Sequence, residues 1–220
     1  MSVKVGFAIG IVAMGVMAAP AQAEAGDVYM RVRGILVAPT ESSSGILPAF
    51  PTEKVSVNNS AMPEVDFTYM ATDNIGLELI AATTKHSASG KTGVTGGIGK
   101  LASTWVLPPT LTAQYHFAPG GKVRPYVGAG VNYTLFYSED ASRGLEAAVG
   151  PTKVRMKSSF GWAAQAGIDF DLNGRMFLNV DVKYIDIDTT ARLSTTAAGV
   201  QRVRISLDPI VVGVGVGFRL

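Results

Sequence analysis

The chain has 220 residues, enough for one domain with a sizeable core, and 47% hydrophobic against 16% charged residues excludes a disordered polyelectrolyte. The formal charge is only +2 and basic residues are scattered along the chain, so no electrostatic footprint for nucleic acid is expected. There is no cysteine, which excludes disulfides, thiolate metal sites and cysteine nucleophiles together.

Residues 1–23 read as a secretory signal peptide. Lys4 supplies the positive start, residues 5–18 are apolar, and Ala21-Gln22-Ala23 is a small-x-small cleavage site. The mature domain, 24–220, is expected to begin at Glu24. The apolar run is too short for a membrane anchor and ends at Pro20, and no later stretch has the ~20 apolar residues a spanning helix needs.

From there on the hydrophobic period is two, which marks strands. Alternation predicts eight of them, at 27–39, 63–73, 75–87, 104–117, 124–139, 157–171, 175–189 and 206–219. The segment 160–170 shows the pattern well: Phe160, Trp162, Ala164, Ala166, Ile168 and Phe170 face one way, and Gly161, Ala163, Gln165, Gly167 and Asp169 the other. Connections alternate in length. Asp73-Asn74, 118–123 and Asn173-Gly174 are tight turns, whereas 40–62, 88–103, 140–156 and 190–205 are long loops. Short turns on one rim and long loops on the other predict an all-β, eight-stranded antiparallel up-and-down transmembrane barrel, with turns in the periplasm and loops outside the cell.

A secreted lipocalin-like barrel shares the strand count but would turn its apolar face inward. Against it stand the aromatics near strand ends (Tyr69, Trp105, Tyr115, Phe117, Tyr137), which suit membrane-interface girdles, and a second face too glycine-rich and too thin in charge for a soluble exterior. Location in the bacterial outer membrane, with outer-membrane lipid as a partner, follows.

The stretches LPPTLTAQYHF (107–117), RPYVGAGVNYTLFY (124–137), GWAAQAGIDFDLNGRMFLNVDVKYIDIDTTA (161–191) and DPIVVGVGVGF (208–218) resemble the outer membrane protein W (OmpW) family, which includes AlkL-type uptake barrels. The resemblance spans the mature chain. It implies a narrow barrel that carries small hydrophobic solutes through the outer membrane and releases them sideways into the bilayer, without a cofactor. One departure is the end, Phe218-Arg219-Leu220, where such barrels usually finish on an aromatic residue; Leu220 keeps the outward phase.

Inward side chains, ranked by height along each strand, divide into two groups. Near the loop end lie Ile35, Val37, Ile80, Ala82, Val106, Phe136, Ile185 and Ile187, an apolar upper lumen. Near the turn end lie Arg31, Arg33, Glu78, Asp169, Asp181 and Lys183, expected to pair across a barrel this narrow as a polar plug, with Tyr29, Gln114, His116, Gln165 and Asn179 beside them. Asp66 ranks in the upper region and is expected to meet a loop arginine. A greasy funnel over a charged plug leaves only a lateral exit, and Pro108 and Pro109 mark a place for it: two adjacent residues without backbone donors interrupt strand pairing about halfway up. The family resemblance implies the third strand as the neighbour at this opening. A bulge that merely turns the strand is the plainer reading, and single prolines at Pro39, Pro63, Pro125 and Pro209 are read as rim kinks.

Other motifs carry less. SGKTG (89–93) lacks the first glycine of a phosphate loop, the closing Gly213-x-Gly215-x-Gly217 has no helix after it, and His86 with His116 is two ligands where a metal site wants three or four. No nucleophile–base constellation points to an enzyme. The alternative to a channel is a structural, adhesive or receptor barrel, distinguished by whether loop side chains fill the upper lumen.

Overall fold

In a computed structural model the chain is described over residues 25–220, so the expected signal peptide lies outside the described residues. The elements in chain order are β1 (Val28–Ala38), β2 (Ser42–Ser43), β3 (Val55–Val57), β4 (Ser60–Met70), β5 (Ile75–Ala82), β6 (Thr84–Gly90), α1 (Gly93–Ile98), β7 (Lys100–Leu107) and β8 (Thr110–His116). They continue as β9 (Val123–Ala141), α2 (Arg143–Val149), β10 (Thr152–Met156), β11 (Ser159–Asp171), β12 (Met176–Ile185), β13 (Asp188–Thr195), β14 (Gly199–Ser206) and β15 (Ile210–Arg219).

Eight of these strands close a ring in the order β1-β4-β5-β8-β9-β11-β12-β15, every neighbour antiparallel, and β15 returns to β1 from Tyr29↔Arg219 to Ala38↔Ile210. Closure removes the exposed edges that would otherwise leave backbone groups unpaired in lipid. The turns on the lower rim are chemically simple. Gly174 sits at φ 78°, and the Asn173 side-chain oxygen accepts from the Met176 N–H at 2.9 Å.

Burial is inverted relative to a soluble protein. Leu79, Leu111, Trp162 and Val214 are each more than half exposed on the outer wall, while Arg31, Asp66, Glu78 and Asp169 are fully buried in the lumen. That distribution fits lipid outside and side chains inside, and excludes the lipocalin arrangement.

The segments expected as long loops carry secondary structure. Above the barrel, β10-β13-β14-β2 form a four-stranded sheet, and β3, β6 and β7 lengthen the wall. Their inner faces share one apolar cluster with the upper lumen, joining Ile35, Ile185 and Ile187 to Val154, Leu193, Val203 and Ile205. The outer face of the four-stranded sheet gathers basic residues that look scattered in the sequence. Segment 88–103 folds as the end of β6, α1 and the start of β7. It is pinned by Glu53, whose carboxylate accepts from the N–H groups of Val94 (3.0 Å) and Thr95 (2.8 Å) and holds its pKa below the usual carboxylate range, chiefly through the Thr95 side-chain hydrogen bond.

Candidate functional site

The lumen begins, at its lower end, with an aromatic layer. Tyr29 and Phe177 meet edge to face with centroids 5.5 Å apart, and His116 stacks on Tyr126 at 5.2 Å. The Arg31 guanidinium lies 5.5 Å from the ring centres of both Tyr126 and Phe177, and Arg124 lies 5.0 Å from Phe177.

Above this layer is a closed ion network. Arg31 contacts Asp66 at 3.0 Å, Asp169 at 3.4 Å and Glu78 at 3.5 Å. Arg33 touches four carboxylates: Asp66 at 2.6 Å, Glu64 at 2.8 Å, Asp181 at 3.0 Å and Glu78 at 3.4 Å. Lys183 joins Glu64 and Asp181, each at 2.8 Å. Polar side chains fill the remaining positions, as Gln165 donates to Glu78 at 2.5 Å and Asn179 to Asp169 at 2.8 Å. All are buried. Charges this desolvated persist only when each has an opposite partner, and here four cations (Arg31, Arg33, Arg124, Lys183) are interleaved with five carboxylates (Glu64, Asp66, Glu78, Asp169, Asp181), every one in contact with a group of opposite sign.

Glycine makes the room. A Cβ at Gly215 would strike the Val32 carbonyl and the Arg33 side chain, and one at Gly213 would stand 2.5 Å from the Asp181 carboxylate. The alternating glycines of β15 are therefore the floor on which Arg33 lies.

Two acidic residues depart from the sequence ranking. Asp66 is not an upper-lumen residue awaiting a loop arginine; it lies opposite Arg31 in the β1–β4 register and bonds both lumen arginines. Glu64, which the ranking omitted, lies opposite Arg33 and caps the network from above. Arg124 was also omitted and reaches Asp171 at 3.5 Å. The two histidines are apart in their bonding: His86 contacts the Asn58 carbonyl and Thr84, and His116 contacts Gln114. Among the described residues no cluster of three metal-ligating groups occurs.

Immediately over the network is a cavity of about 40 Å³, room for a few waters. Its walls are Ile35, Val37, Ile80, Ala82, Val106, Ile185 and Ile187, with Glu64 and Lys183 as its base and Pro108 on its side. Pro39 and Pro209, expected to be rim kinks, also line it. Phe136 does not line this cavity; it is half-buried, pairs with Val106 and packs on the upper apolar cluster.

At Pro108-Pro109 the wall changes. The β5–β8 ladder ends at Ile80↔Thr110 and the β6–β7 ladder starts at Thr84↔Val106, in the same register. Residues 81–83 and 107–109 therefore face each other without ladder pairing over about 13 Å of strand. The Pro108 carbonyl is taken instead by the Thr110 hydroxyl at 2.9 Å. On the other flank the ladders to β9 also break, between Leu107↔Leu135 and Thr110↔Asn132, but only across the two prolines, and there the Tyr133 N–H donates to the Pro109 carbonyl at 3.1 Å. The longer interruption is thus the one between the third and fourth staves. At its upper lip on the outer wall, Thr83 and Tyr137 hydroxyls share a hydrogen bond of 2.6 Å that spans the fourth stave.

The chain is similar to outer-membrane proteins. The model described as the OmpW family matches residues 24–220. Outer membrane protein W of Escherichia coli (strain K12) is 41% identical over 198 residues, 89% of each chain. The crystal structure of OprG from Pseudomonas aeruginosa superposes with a TM-score of 0.84 at 33% identity, covering 90% of this chain and 98% of that one. The solid-state NMR structure of AlkL in lipid bilayers shares the fold, with a TM-score of 0.69 at 23% identity over 95% of this chain and 97% of that one.

Proposed function

The chain belongs to the OmpW family of outer-membrane barrels, and from that premise we propose that it is a passive channel for small hydrophobic molecules. A solute enters the apolar cavity from outside, is stopped by the ion network beneath, and leaves sideways through the unpaired stretch at Pro108 and Pro109 into the membrane. The observation that carries this reading is a coincidence of height. Glu64, the cap of the network, lies opposite Ala82 in the β4–β5 register, and Ala82 sits in the middle of the unpaired stretch. Cavity base and wall opening are at one level, and Pro108 borders both.

The division of chemistry supports the same route. An apolar solute gains from leaving water for the upper lumen but gains nothing in a network of charges already bound to one another. The cavity at rest is smaller than such a solute, so passage includes widening, and the unpaired stretch beside it has no ladder to break. The small cavity also favours a second reading, a structural, adhesive or receptor barrel that moves no solute. Uptake separates them. Cells making the protein should accumulate a hydrophobic probe faster than cells lacking it, with no gain for a polar probe of similar size. Equal gains would indicate a general pore, and no gain for either the second reading.

A further inference from the structure

The outer face of the four-stranded sheet carries like charges side by side. Arg155 on β10 lies directly opposite Arg192 on β13, and Arg192 directly opposite Arg202 on β14. The next row down holds Arg204 opposite Thr190, with the Lys157 N–H bonded to the Thr190 carbonyl on the other side. Lys153 flanks the upper row on β10. All six cations are exposed. Arg155 has Glu139 at 3.4 Å, whereas among the described residues Arg192, Arg202, Arg204 and Lys157 form no ion pair. Like charges opposed across a ladder destabilise a sheet, so three arginines abreast in a chain with 17 acidic residues to distribute call for an anion from elsewhere.

Where this face points selects the anion. In β12 and β15 even-numbered residues such as Val182 and Val212 face lipid, and the same even phase exposes Thr190 and Arg192 on β13 and Arg202 and Arg204 on β14. The basic face is therefore the upward continuation of the lipid-facing wall. Tyr184 and Trp162, packed 5.0 Å apart, mark the interface on these staves. Thr190 and Arg192 follow Tyr184 by six and eight residues, roughly 15–20 Å above it for a tilted strand. A phospholipid head group extends only about 5–8 Å beyond the hydrocarbon. Sugars bearing phosphate reach the required height. At the foot of the face a groove of about 400 Å³ sets Lys157 and Arg204 among Ser42, Ser43, Thr190 and Ser206, hydroxyls suited to a sugar; its one carboxylate, Asp188, is held by the Ser206 hydroxyl.

We infer that this face binds the phosphorylated sugars of an outer-leaflet glycolipid, with Arg192, Arg202 and Arg204 as the principal phosphate contacts. The site is independent of solute passage.

The test uses the full mature barrel in zwitterionic detergent, titrated with lipopolysaccharide, with the same glycolipid stripped of phosphate, and with heparin as a soluble polyanion. Wild type should prefer the phosphorylated glycolipid to both, in a salt-sensitive manner. The triple variant Arg192→Gln, Arg202→Gln, Arg204→Gln should lose about fivefold in affinity per cation, about a hundredfold together. Without glycolipid its melting midpoint should equal or exceed that of wild type, because repulsion is relieved; with glycolipid only wild type should gain stability. Undiminished binding by the triple variant, equal binding of the stripped glycolipid, tighter binding of heparin, or a lower melting midpoint without glycolipid would each overturn the assignment.

Discussion

Replacing Arg33 by methionine removes the centre of the lumen network while keeping most of its aliphatic volume. Four carboxylate contacts between 2.6 and 3.4 Å disappear at once, together with a 3.1 Å hydrogen bond to Asn179. Three cations then face five buried carboxylates. Deleting one partner of a buried pair typically costs about 3–5 kcal/mol, because the other charge is left uncompensated in a low-dielectric site. Arg33 belongs at the upper end of that range, since its loss leaves Asp66 with Arg31 alone and Glu64 and Asp181 sharing Lys183. For a chain of this size a cost of about 5 kcal/mol corresponds to a fall of about 10–20 °C in the unfolding midpoint. The measurement is the temperature at which the difference in gel mobility between folded and boiled protein vanishes, paired with single-channel conductance, which should rise as water enters. Arg33→Lys should fall between the two, since one ammonium cannot reach Glu64, Asp66 and Asp181 together. Combining Arg33→Met with Asp181→Asn should cost less than the sum of the single changes. An Arg33→Met barrel with wild-type midpoint and conductance would refute the interlocked network.

Two further outcomes follow from the wall and from the extracellular cap. Tyr137→Phe removes the hydroxyl that reaches Thr83 over the upper lip of the opening, and should raise hydrophobic-probe uptake with little change in the unfolding midpoint; unchanged or reduced uptake would exclude a restraining role. Glu53 has its pKa lowered in the folded chain, so its contribution is complete above the ordinary carboxylate pKa and is lost as pH falls through the lowered value. Protection of the Val94 and Thr95 amides, taken relative to the intrinsic exchange rate at each pH, should therefore fall on acidification below about pH 4 in wild type. Glu53→Gln should show fast exchange already at neutral pH, and equal protection in both proteins would sink the capping role.

Much of the barrel was legible because alternation is a local signal. Phase alone sorts inward from outward residues, and Arg31, Arg33, Glu78, Asp169, Asp181 and Lys183 are all buried in the lumen as their phase requires. Height is not local. Asp66 fell out of place because ranking along each strand ignores the stagger between staves, and the 40–62 connection is too long to set the β1–β4 register by turn geometry. In-register pairs of opposite charge, Arg31 with Asp66 and Arg33 with Glu64, were the available clue. The extracellular sheet was missed for another reason. Segments rich in glycine, serine and threonine resemble loops, yet GVQRVRIS (199–206) alternates as strictly as any membrane stave, with Val203 and Ile205 inward and Arg202 and Arg204 outward. Only pairing with β13 shows that its arginines stand abreast of others.

In the proposed route solute leaves through the wall at Pro108 and Pro109. Ala81 and Pro109 face each other there in the register shared by the ladders above and below, and the chain has no native cysteine to interfere. Ala81→Cys with Pro109→Cys, oxidised in the membrane and verified as bridged, holds the third and fourth staves together at the level of the cavity base. The rate of hydrophobic-probe uptake by cells carrying this variant, before and after reductant, is the most direct measurement. Loss of uptake in the bridged form and recovery on reduction is the predicted result; undiminished uptake by a folded, fully bridged barrel would contradict the lateral route.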